Sequence, residues 1–213
     1  MNNNNEAGKP PQPYNTVRFS QGLVIVDLML IGDVRTGKTS LIRRFVDGTF
    51  VDSYHYNGCS FLRRKVWIDR SEVDVRLWET QNDERFSTRP YYERCHGVIV
   101  VYDVTNTSSF ENIDKVWLKD IELNGFRDVV VVIVGTKCDH VDRQVDYKTA
   151  KTFADKLNIP LVETSSLTGY GIDRAVMSTV VVALDKILQK VPSISEIEYV
   201  NPRYKDDNGC QLS

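Results

Sequence analysis

A glycine followed directly by lysine and threonine, with another glycine five residues upstream, is the chain's densest chemical signal: Gly32-Asp33-Val34-Arg35-Thr36-Gly37-Lys38-Thr39. The pattern G-x-x-x-x-G-K-[ST] belongs to loops that cradle phosphate. The glycines let backbone N–H groups converge on phosphate oxygens. Lys38 reaches the outer phosphates, and the Thr39 hydroxyl suits Mg²⁺. Ser40 follows and completes the candidate phosphate-binding set. The apolar run Leu28–Ile31 precedes the loop, and Leu41, Ile42 and Phe45 follow at helical spacing. This strand, loop and helix setting gives the motif its meaning, because the helix aims its positive end at the anion.

A second motif chooses the base. Thr136-Lys137-Cys138-Asp139 follows the apolar run Val129–Val134, which places it at the carboxyl end of a strand. A carboxylate there accepts two hydrogen bonds, from the N1–H and the exocyclic amino group of guanine. Adenine offers no such donor pair, and a mismatch of this kind is rejected by up to ~10⁴-fold in well-built sites. The Lys137 stem can lie along the base. Alone, T-K-x-D is a weak signal and reads more readily as a solvated turn. About 100 residues after a phosphate loop, it reads as guanine recognition.

Positioning these residues requires strands that deliver them to one edge. Leu28–Ile31, Phe61–Ile68, Val73–Trp78, Val98–Tyr102, Val129–Val134 and Leu161–Glu163 read as strands, several of them apolar throughout. Such runs suit a parallel sheet covered on both faces. Between them lie helical patterns, clearest near 172–189, where Val176, Val180, Leu184, Ile187 and Leu188 recur at helical spacing. The alternation predicts an α/β fold with a doubly wound, mostly parallel six-stranded sheet flanked by helices. Ligands of such sheets bind at the carboxyl ends of the strands. Residues 1–20 read as a disordered polar arm, 21–190 as the nucleotide-binding domain, and 191–213 as a flexible tail.

Composition narrows the partners. A hydrophobic content of 41% fills a sizeable core, and a net charge of -2 gives no electrostatic case for nucleic acid. The four cysteines, Cys59, Cys95, Cys138 and Cys210, have no metal-ligand spacing, so reduced cytosolic thiols are expected. The polar start shows no signal peptide, Asn2 excludes N-myristoylation, and the run Val129–Val134 is too short to cross a bilayer.

From about Asp27 to Leu188 the chain resembles the Ras superfamily of small GTPases, most closely its Rab branch. The likeness rests on both motifs, on Tyr91-Tyr92-Glu93-Arg94, on the stretch Gly97 to Thr105, and on Glu163-Thr164-Ser165-Ser166. The resemblance implies a small G domain of the P-loop NTPase class that binds GTP or GDP with Mg²⁺. It implies that Phe50 sits near the base, and that Ser165 and the Ser166 backbone close over guanine. Thr136 replaces the usual asparagine and Leu167 the usual lysine. Phe61, Trp78 and Tyr91 match an aromatic trio that faces effectors, although core packing would also explain them. Partners implied are protein effectors, an exchange factor and a GTPase-activating protein.

The hydrolytic positions depart from the family. The threonine of its first switch maps to Asn57 or Tyr56, in a segment that counts one residue short. Mg²⁺ would there use water or the Asn57 carbonyl. The second switch, usually W-D-T-A-G-Q-E, is Trp78-Glu79-Thr80-Gln81-Asn82-Asp83-Glu84. Glu79 keeps a carboxylate near Mg²⁺ with one more methylene. Asn82 replaces a glycine, and asparagine tolerates left-handed backbone better than most residues. Asp83 replaces the glutamine that orients the attacking water; it donates no hydrogen bond, for a rate penalty of about 10²-fold or more. Val34 crowds the entry of a helper arginine, and Arg35 either contacts phosphate or points to solvent.

The chain ends Cys210-Gln211-Leu212-Ser213, which fits a prenylation signal at Cys210. One lipid gives reversible attachment, so a peripheral protein on the cytosolic face of a membrane is expected. Two functions compete. One is a Rab-like guanine-nucleotide switch in vesicle trafficking or signalling, with slow intrinsic hydrolysis. The other is a non-hydrolysing protein-interaction module. A nucleotide kinase would need an arginine-rich lid that the sequence does not offer.

Overall fold

The computed structural model describes residues 19–20, 23–50, 61–68, 71–79, 95–123 and 129–189. Tyr56, Asn57, Asn82, Asp83, Tyr91, Cys59 and Cys210 lie outside these residues, as do the arm through residue 18 and the tail from 190.

The elements in chain order are β1 (Phe19–Ser20), β2 (Leu23–Ile31), α1 (Lys38–Asp47), β3 (Phe61–Ile68), β4 (Ser71–Glu79) and β5 (Gly97–Asp103). Then come α2 (Thr107–Asn112), a π-helical turn (Ile113–Trp117), α3 (Leu118–Leu123), β6 (Val130–Thr136), α4 (Tyr147–Lys156), β7 (Leu161–Glu163) and α5 (Ile172–Gln189). Six strands run in the order β3-β4-β2-β5-β6-β7, and β1 adds a short antiparallel pair to β2. β2 pairs in parallel with β4 and β5, β5 with β6, and β6 with β7; β3 alone on this path runs antiparallel, against β4. The mostly parallel sheet expected from the sequence is present.

Helices cover both faces, which is why the central strands read as unbroken apolar runs. Leu41, Ile42 and Phe45 of α1, with Val176, Val180 and Ile187 of α5, pack on one face against Leu28, Leu30 and Val101. Ile113, Trp117 and Ile121, with Ala150 and Ala154 of α4, pack on the other against Met29, Val100 and Ile133. Leu188 shares the helical period but is 52% exposed, so the apolar stripe of α5 ends at Ile187.

Strands β2, β4, β5 and β6 extend beyond the apolar runs that mark them, and β2 and β6 show why. β2 begins before Leu28 because Asp27 interrupts the hydrophobic run without ending the strand. Its carboxylate accepts from Trp78 Nε1 at 2.8 Å, so the charge has a partner on the neighbouring strand. β6 continues through Gly135 to Thr136. A Cβ at Gly135 would stand 2.6 Å from Tyr102 Oη, so only glycine fits beside that buried ring.

Candidate functional site

The carboxyl ends of β2, β5, β6 and β7 deliver the loops of the site. After Ile31 the chain turns at Gly32, whose φ of 145° and whose absent Cβ (it would meet Val101 O at 2.1 Å) leave no alternative to glycine. Arg35 follows at φ 66° and Gly37 at φ 89°. These left-handed residues curl the backbone and turn successive N–H groups inward. α1 begins at Lys38 with Gly37 as its cap, and among the described residues no capping side chain bonds to the first turn. Such a helix start offers its free donors to an anion.

Lys38 is buried. Its ammonium donates to Gly32 O and to Asp33 O, both at 2.8 Å. Two of its three N–H bonds are thereby committed, and the third has no partner among the described residues. Burial lowers its pKa, against the attraction of Glu79 and Asp33. The same Asp33 carbonyl accepts from the Thr36 hydroxyl at 2.8 Å. Val34 and Arg35 are exposed on the loop's outer lip, and Val34 is 50% accessible.

Thr39 and Glu79 meet across α1 and β4: the hydroxyl donates to Glu79 Oε1 at 2.6 Å. Burial raises the Glu79 pKa, while the Thr39 bond and Lys38 oppose the rise. Among the described residues no cluster of three or more His, Cys, Asp or Glu could hold a metal alone. A hydroxyl paired with one carboxylate suits Mg²⁺, which takes its remaining ligands from phosphate and water.

The T-K-C-D segment stands beside the phosphate loop. Thr136 is 1% exposed, and its hydroxyl lies 2.5 Å from Thr36 O and 3.0 Å from Tyr102 O. Lys137, at φ 59°, donates to Asp103 Oδ2 at 2.5 Å and to Arg35 O at 3.1 Å. Asp139 is exposed, and its carboxylate makes no hydrogen bond among the described residues, so its lone pairs face outward. Cys138 N donates to Thr164 O at 3.1 Å, which brings the Ser165–Ser166 turn alongside. Both serines are buried, and Leu167 beside them is 56% exposed. The Ser165 hydroxyl accepts from Thr168 N at 3.1 Å and shapes its own turn. Phe50 lies beyond α1 at 36% exposure.

Of the aromatic trio, Phe61 and Trp78 stack with ring centroids 4.6 Å apart, half-buried where β3 meets β4. Arg76 covers the Phe61 ring at 5.4 Å.

Sequence reasoning missed several supporting residues. Asp103 anchors Lys137 with one oxygen and Thr105 with the other, at 2.8 Å to the backbone N–H. Arg143 grips Glu163 through both guanidinium branches, at 2.7 and 2.8 Å. Asn112 and Trp117 reach Asp33 from the other side of the sheet edge. A carboxylate ending a buried strand was the available signal for Asp103; long-range pairing left none for the others.

A family model described as the Ras family matches residues 27–185. The chain belongs to that family, as a small GTPase of the Rab branch. It is 41% identical over 156 residues to the Ras-related protein Rab-1C of Dictyostelium discoideum, covering 71% of this chain and 77% of the relative. It is likewise 41% identical over 155 residues to the GTP-binding protein ypt1 of Schizosaccharomyces pombe, with 71% and 76% covered. The Ras-related protein RABD2c of Arabidopsis thaliana matches equally, at 41% over 155 residues. No described helix is long and apolar enough to cross a membrane.

Proposed function

We propose that this chain is a Rab-like guanine-nucleotide switch with slow intrinsic GTP hydrolysis. One observation carries the reading: the phosphate loop and the base loop are hydrogen-bonded to each other through Thr136 and Lys137, so one nucleotide spans both. Lys38 and the N–H groups of residues 34–39 hold the phosphates. Thr39 and Glu79 hold Mg²⁺, which when bound neutralises phosphate charge. Asp139 reads guanine, with Phe50 and the Ser165–Leu167 turn around the base. Effectors dock at Phe61, Trp78 and Tyr91, and a prenyl group on Cys210 supplies peripheral attachment to a cytosolic membrane face. An exchange factor and a GTPase-activating protein complete the cycle.

Slow hydrolysis follows from chemistry at two positions. Asp83 cannot donate to the attacking water, and Val34 stands where a helper side chain must approach. The second reading, a non-hydrolysing interaction module, draws on the same substitutions together with Asn82 and the Asn57 position.

Single-turnover conversion of bound GTP to GDP separates the two. Measurable conversion that an activating protein accelerates supports the switch. No conversion, with partner binding identical in the GTP and GDP forms, supports the inert module. The double change Tyr56→Thr with Asp83→Gln raises the rate by about 10²-fold if side-chain chemistry limits it. Failure of calorimetry to detect GDP uptake with Mg²⁺, or equal uptake of ADP, would sink both readings.

A further inference from the structure

Asp33 is held from two sides. Its carbonyl accepts from Lys38 and Thr36 inside the phosphate loop, at 2.8 Å each. Its carboxylate points the other way and takes one donor per oxygen: Trp117 Nε1 on Oδ1 at 2.8 Å and Asn112 Nδ2 on Oδ2 at 2.7 Å. Trp117 is buried in the core beneath the loop, at 8% exposure, and Asn112 is half-buried.

The spacing of those donors is abnormal for an α-helix. Residues five apart sit about 140° around an α-helical axis, too far to share one carboxylate. Here residues Ile113–Trp117 form a π turn, closed by Leu118 N–H bonding to Ile113 O. The wider i to i+5 repeat returns the fifth residue to the face of the first. The local irregularity therefore creates the pair of donors. π turns cost helical regularity and concentrate at functional positions.

We infer that this π turn is a clamp that holds the phosphate loop in its anion-binding shape through Asp33. Asn112 and Trp117 are positioning residues for the nucleotide's β-phosphate, and the strip 107–123 sets how fast nucleotide leaves. A charge-assisted bond contributes about 1.5 kcal/mol or more, a tenfold effect when the shape it holds is needed for binding. The inference rests on the guanine-nucleotide reading above.

The test uses the full chain with Mg²⁺ and fluorescently labelled GDP and GMP. Asp33→Asn, Asn112→Ala and Trp117→Phe are compared with Lys115→Ala, whose side chain leaves the same π turn into solvent and pairs with Glu111. The clamp variants release GDP about tenfold faster than the unaltered chain. GMP, which lacks the β-phosphate, changes less than about twofold by the same reasoning. Lys115→Ala releases both as the unaltered chain does. The indole N–H resonance of Trp117 also moves in Asp33→Asn and stays in Lys115→Ala. Unchanged GDP release, or a parallel loss for GDP and GMP, overturns the clamp. If the unaltered chain binds no GDP, the guanine reading has failed and the clamp falls with it. Should Trp117→Phe fold poorly, Asn112→Ala removes only a half-buried donor and decides the outcome.

Discussion

The Thr39 hydroxyl donates to Glu79 Oε1 at 2.6 Å, with both groups in a partly buried setting at the mouth of the phosphate loop. The bond orients a neutral oxygen by means of a carboxylate. It leaves the Thr39 lone pairs for a hard cation, and among the described residues the second Glu79 oxygen accepts no hydrogen bond, so it can serve that cation's water. Partners one step removed from a metal commonly change its affinity by 10–100-fold when replaced. Glu79→Gln should therefore weaken Mg²⁺ binding to the GDP complex by about tenfold or more. A Mg²⁺ titration of GDP release measures this, and an unchanged midpoint removes Glu79 from the metal's surroundings.

Lys38 supplies the charge of the cradle. Burial lowers its pKa from the usual lysine value, and an anion bound beside it would stabilise the ammonium. Lys38→Ala should lower GDP affinity by about 10–100-fold, one charge-assisted bond to phosphate. Isothermal titration with GDP reads the loss directly. An equal loss for guanosine would mean the loop had collapsed.

On the proposed reading, Asp139 offers two acceptors to the base. Asp139→Asn converts one acceptor into a donor, which suits a base carrying a carbonyl where guanine carries its amino group. Preference should then turn from GDP toward XDP, by about 10²-fold or more, because each mismatched polar group is left unpaired. Competition of the two nucleotides for the labelled-GDP site is the measurement. Retained GDP preference would show that Asp139 does not face the base.

Arg143 and Glu163 form a two-pronged ion pair that fastens the loop after β6 to β7. The arginine side chain is 28% exposed and the glutamate 12%, so solvent screens part of the attraction. Glu163→Gln leaves the guanidinium half-satisfied and should cost about 2 kcal/mol, below the 3–5 of a fully buried broken pair. Chemical denaturation at neutral pH tests it. A change under about 0.5 kcal/mol would class the pair as a surface contact.

Cys138 sits inside the base loop, and its thiol is pushed above the usual range by burial, with Glu163 and Asp139 adding to the rise. A raised thiol pKa means less thiolate at any given pH, so alkylation at pH 7.5 should be slow and should climb through pH 9 and beyond. Iodoacetamide labelling followed by peptide mass spectrometry reads this residue by residue. Fast labelling at neutral pH would contradict the raised thiol pKa of this half-buried residue.

Motif chemistry and periodicity were the legible layers. The strand, loop and helix around Gly32, the strand that ends at Thr136 and most of the other main strands could be read because each is a local pattern: apolar runs, glycine spacing and helical period. β7 was legible too, although it has only three residues, because Pro160 and the polar turn after Glu163 frame it. The start of β2 was hidden by Asp27, whose partner Trp78 lies 51 residues away. The clamp on Asp33 was hidden for the same reason, its donors coming from 79 and 84 residues downstream. Pairings over such separations carry no periodic signature. The π turn also evades an α-helical template, which would have put Trp117 on a different face from Asn112.

One oxygen, that of the Thr136 side chain, lies 2.5 Å from Thr36 O and 3.0 Å from Tyr102 O. It pins two jaws at a set gauge. If the proposed nucleotide occupies both loops, a purine joined to its anionic chain by a ribose has to match that gauge, and an analogue with a carbon added to or removed from the spacer should bind more weakly. Length, as well as composition, becomes a criterion of admission, and a lone O–H sets the ruler.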